Sequence, residues 1–208
     1  MAAGMHAIVL AAGEGRRLRP LSERWPKPIL PIDGRPVVAS LLRELRAGGA
    51  EGVVVVTGHL ARQVEALLGD GSGFGLEIVY ARQRRPDGSA DATVCGLRAG
   101  ARPPVLVVAA DTVFRPGDLG RFWQAFMESG AVGAVAARRD PPPDPPHRPP
   151  VRIRDGRVER VLDDDPANPL AGAPLWALAE PLVAALPGDQ RAPYELAVVV
   201  QQAIDAGE

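Results

Sequence analysis

LAAGEGRRLRPLSERWPKPILPI (residues 10–32) is a short apolar run, a glycine-rich turn, a group of arginines and prolines, and then Lys27-Pro28. The apolar residues 7–12 form a buried strand, and Gly13-Glu14-Gly15 follow it directly. Glycines there let the backbone turn sharply and let its N–H groups approach an anion closely. A dinucleotide-binding turn needs a third glycine at position 18 and a helix opening at the loop. Position 18 is Leu18, and Pro20 and Pro26 prevent an immediate helix. A P-loop needs GxxxxGK followed by Ser or Thr, which is absent. An isolated GxG is most often an ordinary strand-to-loop turn, so the surrounding residues decide. Lys27 is the only lysine among 24 basic residues. A position that stays Lys against that bias uses what an ammonium supplies, a compact charge on a flexible stem. The stretch reads as a candidate triphosphate-binding loop.

Outward from it, strand-like apolar runs alternate with amphipathic, helix-like segments. The runs are residues 6–11, 52–57, 76–80, 104–110 and 131–137; the segments between are 35–47, 60–68, 89–99 and 116–129. In residues 37–45, Val37, Val38, Leu41, Leu42 and Leu45 share one helical face. VVVV and VLVVAA are apolar throughout, as a parallel sheet covered on both sides requires. The alternation predicts a three-layer α/β fold. DPPPDPPHRPP (140–150) breaks the pattern and reads as a stiff, extended loop. VRIRDGRVERVL then alternates around Asp155-Gly156, which predicts a β-hairpin. Residues 171–178 read as a strand, and 180–186 and 193–206 as helices. The expected organisation is a single domain over 1–208, with a nucleotide-binding half (1–139) and a partly β accessory half (151–208).

The 208 residues suffice for one domain with a sizeable core, and the net charge of -1 argues against coating nucleic acid. One cysteine, Cys95, forms no intrachain disulfide, which fits a reducing, cytoplasmic setting. No apolar run approaches the roughly 18 residues of a membrane span, so no membrane partner is expected. Oligomeric state is left open, a homo-oligomer included.

L-A-A-G-x-G-x-R-L-x-P, then K-P about seven residues on, then Asp33-Gly34-Arg35-Pro36, resembles the signature of the sugar-phosphate nucleotidyltransferases. Further segments resemble that family in order: GDGSGFGLEIVYARQ (69–83), Pro86-Asp87-Gly88-Ser89-Ala90-Asp91-Ala92, VLVVAAD (105–111) and PYELA (193–197). The resemblance implies a Rossmann-like fold with a mostly parallel central sheet and a reaction between an NTP and a sugar-1-phosphate. The acceptor phosphate attacks the α-phosphorus in line and pyrophosphate leaves, so the protein positions two anions and neutralises charge.

What the resemblance implies for individual residues is specific. Leu10, Ala11, Ala12, Gly13, Glu14 and Gly15 form the phosphate-cradling loop. Arg17 clamps the leaving pyrophosphate, and Lys27 bridges the phosphates of the two substrates. Asp111 holds Mg²⁺. Gln83 reads the base through its amide, Gly88 through its backbone, with Pro86 and Ser89 beside them. Asp165 and Gly172 stand near the acceptor. UTP or dTTP is favoured and GTP admitted. Arg16 and Arg19 read as solvated, Asp163, Asp164 and Asp165 as a solvated acidic turn, and Trp176 and Leu178 as core. Cys95 reads as buried and inert, and His6, His59 and His147 as without a catalytic role.

Two departures from the family pattern stand out. Asp164-Asp165-Pro166 replaces the Glu-Lys-Pro whose lysine holds the sugar phosphate in many relatives. Relatives also carry a second metal-binding aspartate downstream of the PYELA-like segment; here either the sequence is truncated, or Glu195 or Asp205 substitutes. Alternative expectations are a cytidylyltransferase or molybdopterin-type nucleotidyltransferase, and a catalytically weak nucleotide-binding regulatory module.

Overall fold

The computed structural model describes residues 4–139, 150–165, 167–186 and 195–207. In chain order the strands are β1 (Met5–Ala11), β2 (Pro31–Ile32), β3 (Arg35–Pro36), β4 (Ala50–Thr57), β5 (Ile78–Arg82), β6 (Val105–Ala109), β7 (Gly133–Arg139), β8 (Arg152–Arg154), β9 (Arg157–Arg160) and β10 (Leu170–Leu178). The helices are α1 (Leu21–Arg24), α2 (Val37–Ala47), α3 (Ala61–Leu68), α4 (Ser89–Arg98), α5 (Asp118–Ser129), α6 (Glu180–Ala184) and α7 (Leu196–Asp205).

The unbroken valine runs need cover on both faces, and they have it. Successive β-strand side chains point to opposite faces. Ala7 and Val9 of β1 therefore join one core with Val38, Leu41 and Leu42 of α2 and with Leu119 and Phe126 of α5. Ile8 joins the opposite core with Ala90 of α4, Leu182 of α6, and Leu196 and Val199 of α7. The helical face expected in α2 is the buried one, from Val37 to Leu45.

The main sheet has the order β5-β4-β1-β6-β10-β7. β5, β4, β1 and β6 are mutually parallel, and β10 is antiparallel to both β6 and β7. The sheet is thus mostly parallel, as expected, although one of its inner strands comes from the second half of the chain. β8 and β9 form a separate hairpin around Asp155-Gly156. β2 and β3 pair across Asp33-Gly34, both at positive φ. The prolines near residues 20 and 26 permit only a single-turn α1 and 3₁₀ turns at Arg16–Leu18 and Lys27–Ile29. The proline-rich stretch 140–149 (which contains His147), Pro166, and Pro193-Tyr194 lie outside the described residues.

Two sets of hydrogen bonds tie the second half together internally. Gln201 of α7 accepts hydrogen bonds at Oε1 from the backbone N–H groups of Val161 and Leu162 (3.0 and 3.2 Å). Asp163 is not part of a solvated acidic turn. It is buried, and it accepts from Arg152 (2.6 Å), Asn168 (2.8 Å) and the Asp164 backbone N–H (3.1 Å). Hydrogen bonding from Asn168, aided by the charge of Arg152, holds its carboxyl below the usual aspartate range. Asp164 and Asp165 are exposed.

Candidate active site

β1 lies between β4 and β6, so the chain runs to one side of β1 for β4 and β5 and to the other for β6. The carboxyl ends of β1 and β6 flank that switch point, where open α/β sheets form a ligand crevice. Leu10 pairs with Ala109 across it, and the Ala110 N–H donates to the Leu10 carbonyl at 3.0 Å. The glycine turn after β1 and Asp111 after β6 are neighbours for this reason. A cavity of about 430 Å³ opens there.

Along one wall runs the turn itself, with Leu10, Ala11, Ala12, Gly13 and Gly15 lining the cavity. Gly15 sits at φ 61°, where a side chain is strained, and a Cβ there would crowd Ser22 at 3.3 Å while meeting Lys27 Cβ at an ordinary contact distance. The turn is pinned from behind by the His59 N–H, which donates to the Ala12 carbonyl at 3.3 Å. His59 Nε2 contacts the Ser22 carbonyl at 2.9 Å, a structural contact.

Three arginines follow the turn, and they differ. Arg16 is bound by Glu14 at 2.7 Å, and Arg19 lies 3.7 Å from the same carboxylate. The hydrogen bond and charge of Arg16 hold the Glu14 carboxyl below its usual range. Among the described residues Arg17 has no carboxylate within ion-pair distance, and it lines the cavity. Glu14 does not line it. Its role here is to neutralise the flanking arginines, which leaves Arg17 as the uncompensated cation of the group. Arg16, expected to be solvated, is exposed but does border the cavity.

Lys27 opens the 3₁₀ turn ahead of buried Pro28 and sends its ammonium to Asp111 Oδ2. The two side chains are 38% and 28% exposed, so the pair is open to the cavity. An ammonium and a carboxylate thus meet where β1 and β6 end.

The far wall is built from the end of β5 and the start of α4. Gln83 is buried at 7% exposure. Its backbone N–H donates to the Thr57 carbonyl at 2.9 Å. Its side-chain amide donates to the Gly88 carbonyl at 3.0 Å and to Asp91 at 2.8 Å. Gly88 has φ 105°, ψ 175°, a conformation that favours glycine. Pro86, Gly88 and Ser89 line the cavity with Gln83.

Glu195 also lines it. Its carboxylate accepts from the Ser89 hydroxyl and from the Ser89 backbone N–H (3.3 Å), while Ser89 Oγ accepts from the Leu196 N–H at 2.8 Å. This link joins the first turns of α4 and α7. Asp205, the other residue considered as a substitute carboxylate, instead accepts from Gln201 at 2.8 Å.

The two residues expected beside an acceptor separate. Asp165 is exposed and accepts from the Ala167 N–H at 2.9 Å, lining neither this cavity nor its neighbour. Gly172 lines the neighbouring cavity of about 220 Å³, which shares Leu10, Ser89, Ala109 and Glu195 with the first. That space exists because β10 bulges. Gly172 and Trp176 are four positions apart, while their partners Ala137 and Val135 are only two apart. Trp176, expected in the core, packs half-buried against the core that holds Leu178 and also borders this second cavity. Leu178 is core, at 1% exposure. Cys95 is half-buried, and burial pushes its thiol up.

The fold and crevice place the chain in the class of α/β proteins that receive a ligand at the carboxyl ends of parallel strands. The chain belongs to the nucleotidyl transferase family, whose profile matches residues 6–146. It is similar to N-acetylmuramate alpha-1-phosphate uridylyltransferase of Neisseria meningitidis serogroup B, 34% identical over 70% of this chain and 62% of that protein. It is similar to glucose-1-phosphate thymidylyltransferase of Streptomyces griseus, 31% identical over 98% of this chain and 58% of that protein. The chain thus spans about six-tenths of the length of these two relatives. Its fold matches the structure of the inositol-1-phosphate CTP transferase from T. maritima, with a TM-score of 0.83 and 21% identity over 99% of this chain and 83% of that one. The family and the Rossmann-like α/β fold agree with those expected from the loop and strand pattern. No helix among the described residues is long and apolar enough to cross a membrane.

Proposed function

We propose that this chain transfers a nucleoside monophosphate from an NTP to a sugar-1-phosphate, releasing pyrophosphate, with UTP or dTTP favoured and GTP admitted. The observation that carries this reading is the convergence, in one cavity, of a glycine turn, Arg17, Lys27, Asp111 and the Gln83–Gly88 wall. The relatives' names, a uridylyltransferase and a thymidylyltransferase, support it. In this reading residues 1–139 carry the nucleotide half and 151–208 the acceptor side.

The residues divide the work by chemistry. The turn's backbone N–H groups and Arg17 hold the β- and γ-phosphates, and the arginine fork suits a bidentate grip on the departing pyrophosphate. Lys27 neutralises the two reacting phosphates that must be brought together. No side chain has to act as nucleophile, since the acceptor phosphate oxygen attacks. Asp111 and Glu195 both line the cavity, and an oxygen-only donor set completed by phosphates and water suits Mg²⁺. When bound, that ion would supply charge neutralisation at the phosphates. Asp111 would hold it, and Glu195, which lines the same cavity, would stand in for a second carboxylate. Gly172 and the second cavity take the acceptor.

The test is pyrophosphate release from each NTP or dTTP with Mg²⁺ and a panel of sugar-1-phosphates. Release with a sugar phosphate and UTP, dTTP or GTP is expected. Release only with CTP and a non-sugar acceptor would assign the chain to the cytidylyltransferases. Nucleotide binding without release for any pair would make it a nucleotide-sensing module.

A further inference from the structure

We propose that Asp91 is a positioning residue that locks the Gln83 amide in one orientation and thereby sets which bases the site accepts. The inference rests on the reading of Gln83 as the base-contacting residue.

A free glutamine can offer a base either its amide hydrogens or its carbonyl oxygen by turning over. Gln83 does not have that freedom. The side-chain atom that faces Asp91 Oδ2 at 2.8 Å also faces the Gly88 carbonyl at 3.0 Å. A backbone carbonyl can only accept, and so can an ionised carboxylate. The atom between them is therefore the amide nitrogen. The opposite orientation would set Oε1 against two acceptors at hydrogen-bond distance in a site where Gln83 is 7% exposed. Asp91 is itself well placed to hold this pose, because it stands in the first turn of α4, where the helix favours negative charge.

With its hydrogens engaged, Gln83 presents a ligand with an acceptor, Oε1. For a pyrimidine held in one placement, uracil and thymine carry an N–H at ring position 3, whereas cytosine has a lone pair there and an amine at position 4. Guanine carries an N–H at ring position 1, where adenine has a lone pair. Facing that ring nitrogen, an amide fixed as an acceptor matches uracil, thymine and guanine and opposes cytosine and adenine. An amide able to turn over tolerates both groups. Discrimination of this kind needs an opposed, unpaired polar contact as well as a matched one.

The experiment measures nucleotide dissociation constants and kcat/KM for UTP, dTTP, GTP, CTP and ATP in the wild-type protein, Asp91→Ala and Asp91→Asn. Melting temperatures show whether each variant is folded. The wild type is expected to bind at least one of UTP, dTTP and GTP about tenfold or more tightly than CTP and ATP. In Asp91→Ala that preference falls about tenfold, because one of two anchors, the charged one, is gone. Asp91→Asn keeps the side-chain volume but can present either end of its amide, and the preference falls about threefold. A merely structural lesion would weaken all nucleotides together and leave the ratio unmoved. A wild-type preference for CTP or ATP overturns the proposal, as does an unchanged ratio in a folded variant, or no nucleotide binding at all. Selective binding that collapses in Asp91→Ala, without pyrophosphate release in any reaction, would sustain the lock and refute the transfer reading. Release with a sugar-1-phosphate in which CTP is favoured would refute the lock and sustain transfer to a sugar phosphate.

Discussion

Replacing Lys27 by alanine separates a site residue from a structural one. Its ammonium pairs with Asp111, but the two side chains are 38% and 28% exposed and solvent screens the pair. Pairs this open contribute about 0–1 kcal/mol to stability. For a chain of this size that corresponds to a fall in melting temperature of no more than about 4 °C. Loss of function should be much larger. With phosphates in the cavity the same ammonium makes charge-assisted hydrogen bonds, each worth about 1.5–3 kcal/mol. A loss of about 2.7 kcal/mol at the transition state lowers turnover about a hundredfold. Lys27→Arg is the sharper test. The guanidinium keeps the charge but extends farther and can engage Asp111 with both arms, so turnover is expected to fall about tenfold. The assay is pyrophosphate release with the best nucleotide and acceptor, run beside a thermal melt. A folded Lys27→Ala protein that keeps turnover within about threefold would remove Lys27 from the mechanism, and an equally active arginine variant would remove the case for an ammonium.

Three further outcomes concern stability and linkage. Leu106→Ala, at a fully buried β6 position, should cost about 2–5 kcal/mol by urea unfolding, whereas Leu67→Ala, 42% exposed, should stay within about 0.5 kcal/mol; equal costs would contradict the assignment of the core. Ser89→Ala removes the acceptor for the Leu196 N–H, so hydrogen exchange at Leu196 should quicken about fivefold, for roughly 1 kcal/mol, and unaltered exchange would show that the link does not hold α7. Because the folded-state pKa of Asp163 lies below its unfolded value of about 3.9, its contribution to stability is present above that pH and is lost as pH falls through the folded value. Asp163→Asn should therefore flatten the acid limb of the stability profile, and an acid limb as steep as that of the wild type would locate the titration elsewhere.

Most of the fold was legible because its signals are local. Strand runs and helix faces are set by residues a few positions apart, and each parallel strand was found within a few residues of its observed bounds. The insertion of β10 between β6 and β7 was not legible. A nine-residue apolar strand reads alike at an edge or in the interior, and only the pairing of Leu178 with Val105 decides. The cavity residues Gly13, Gln83 and Asp111, which follow strands, and Lys27, which opens a 3₁₀ turn, were legible from motif spacing. The exclusion of Glu14 was not, since it depends on Arg16 and Arg19 claiming the carboxylate first. Asp163 was misjudged for the same reason, because burial and pairing with Arg152 and Asn168 are long-range facts that an acidic tripeptide does not carry. Trp176 does pack against the core that holds Leu178, but strand alternation gives no sign that it also borders a cavity.

The place of β10 also governs when the protein can become itself. β6 meets its outer neighbour only after residues 175–178 have been made, some seventy positions later, and β7 has no partner until the same strand arrives. On the ribosome the half that carries Lys27 and Asp111 emerges first, with β6 still offering an open edge. Contacts this distant in sequence slow folding and leave apolar strands exposed while they wait. The cavity beside the crevice, lined by Gly172 and Trp176, is therefore closed last, by a strand from the half of the chain that contributes least to the crevice's own walls.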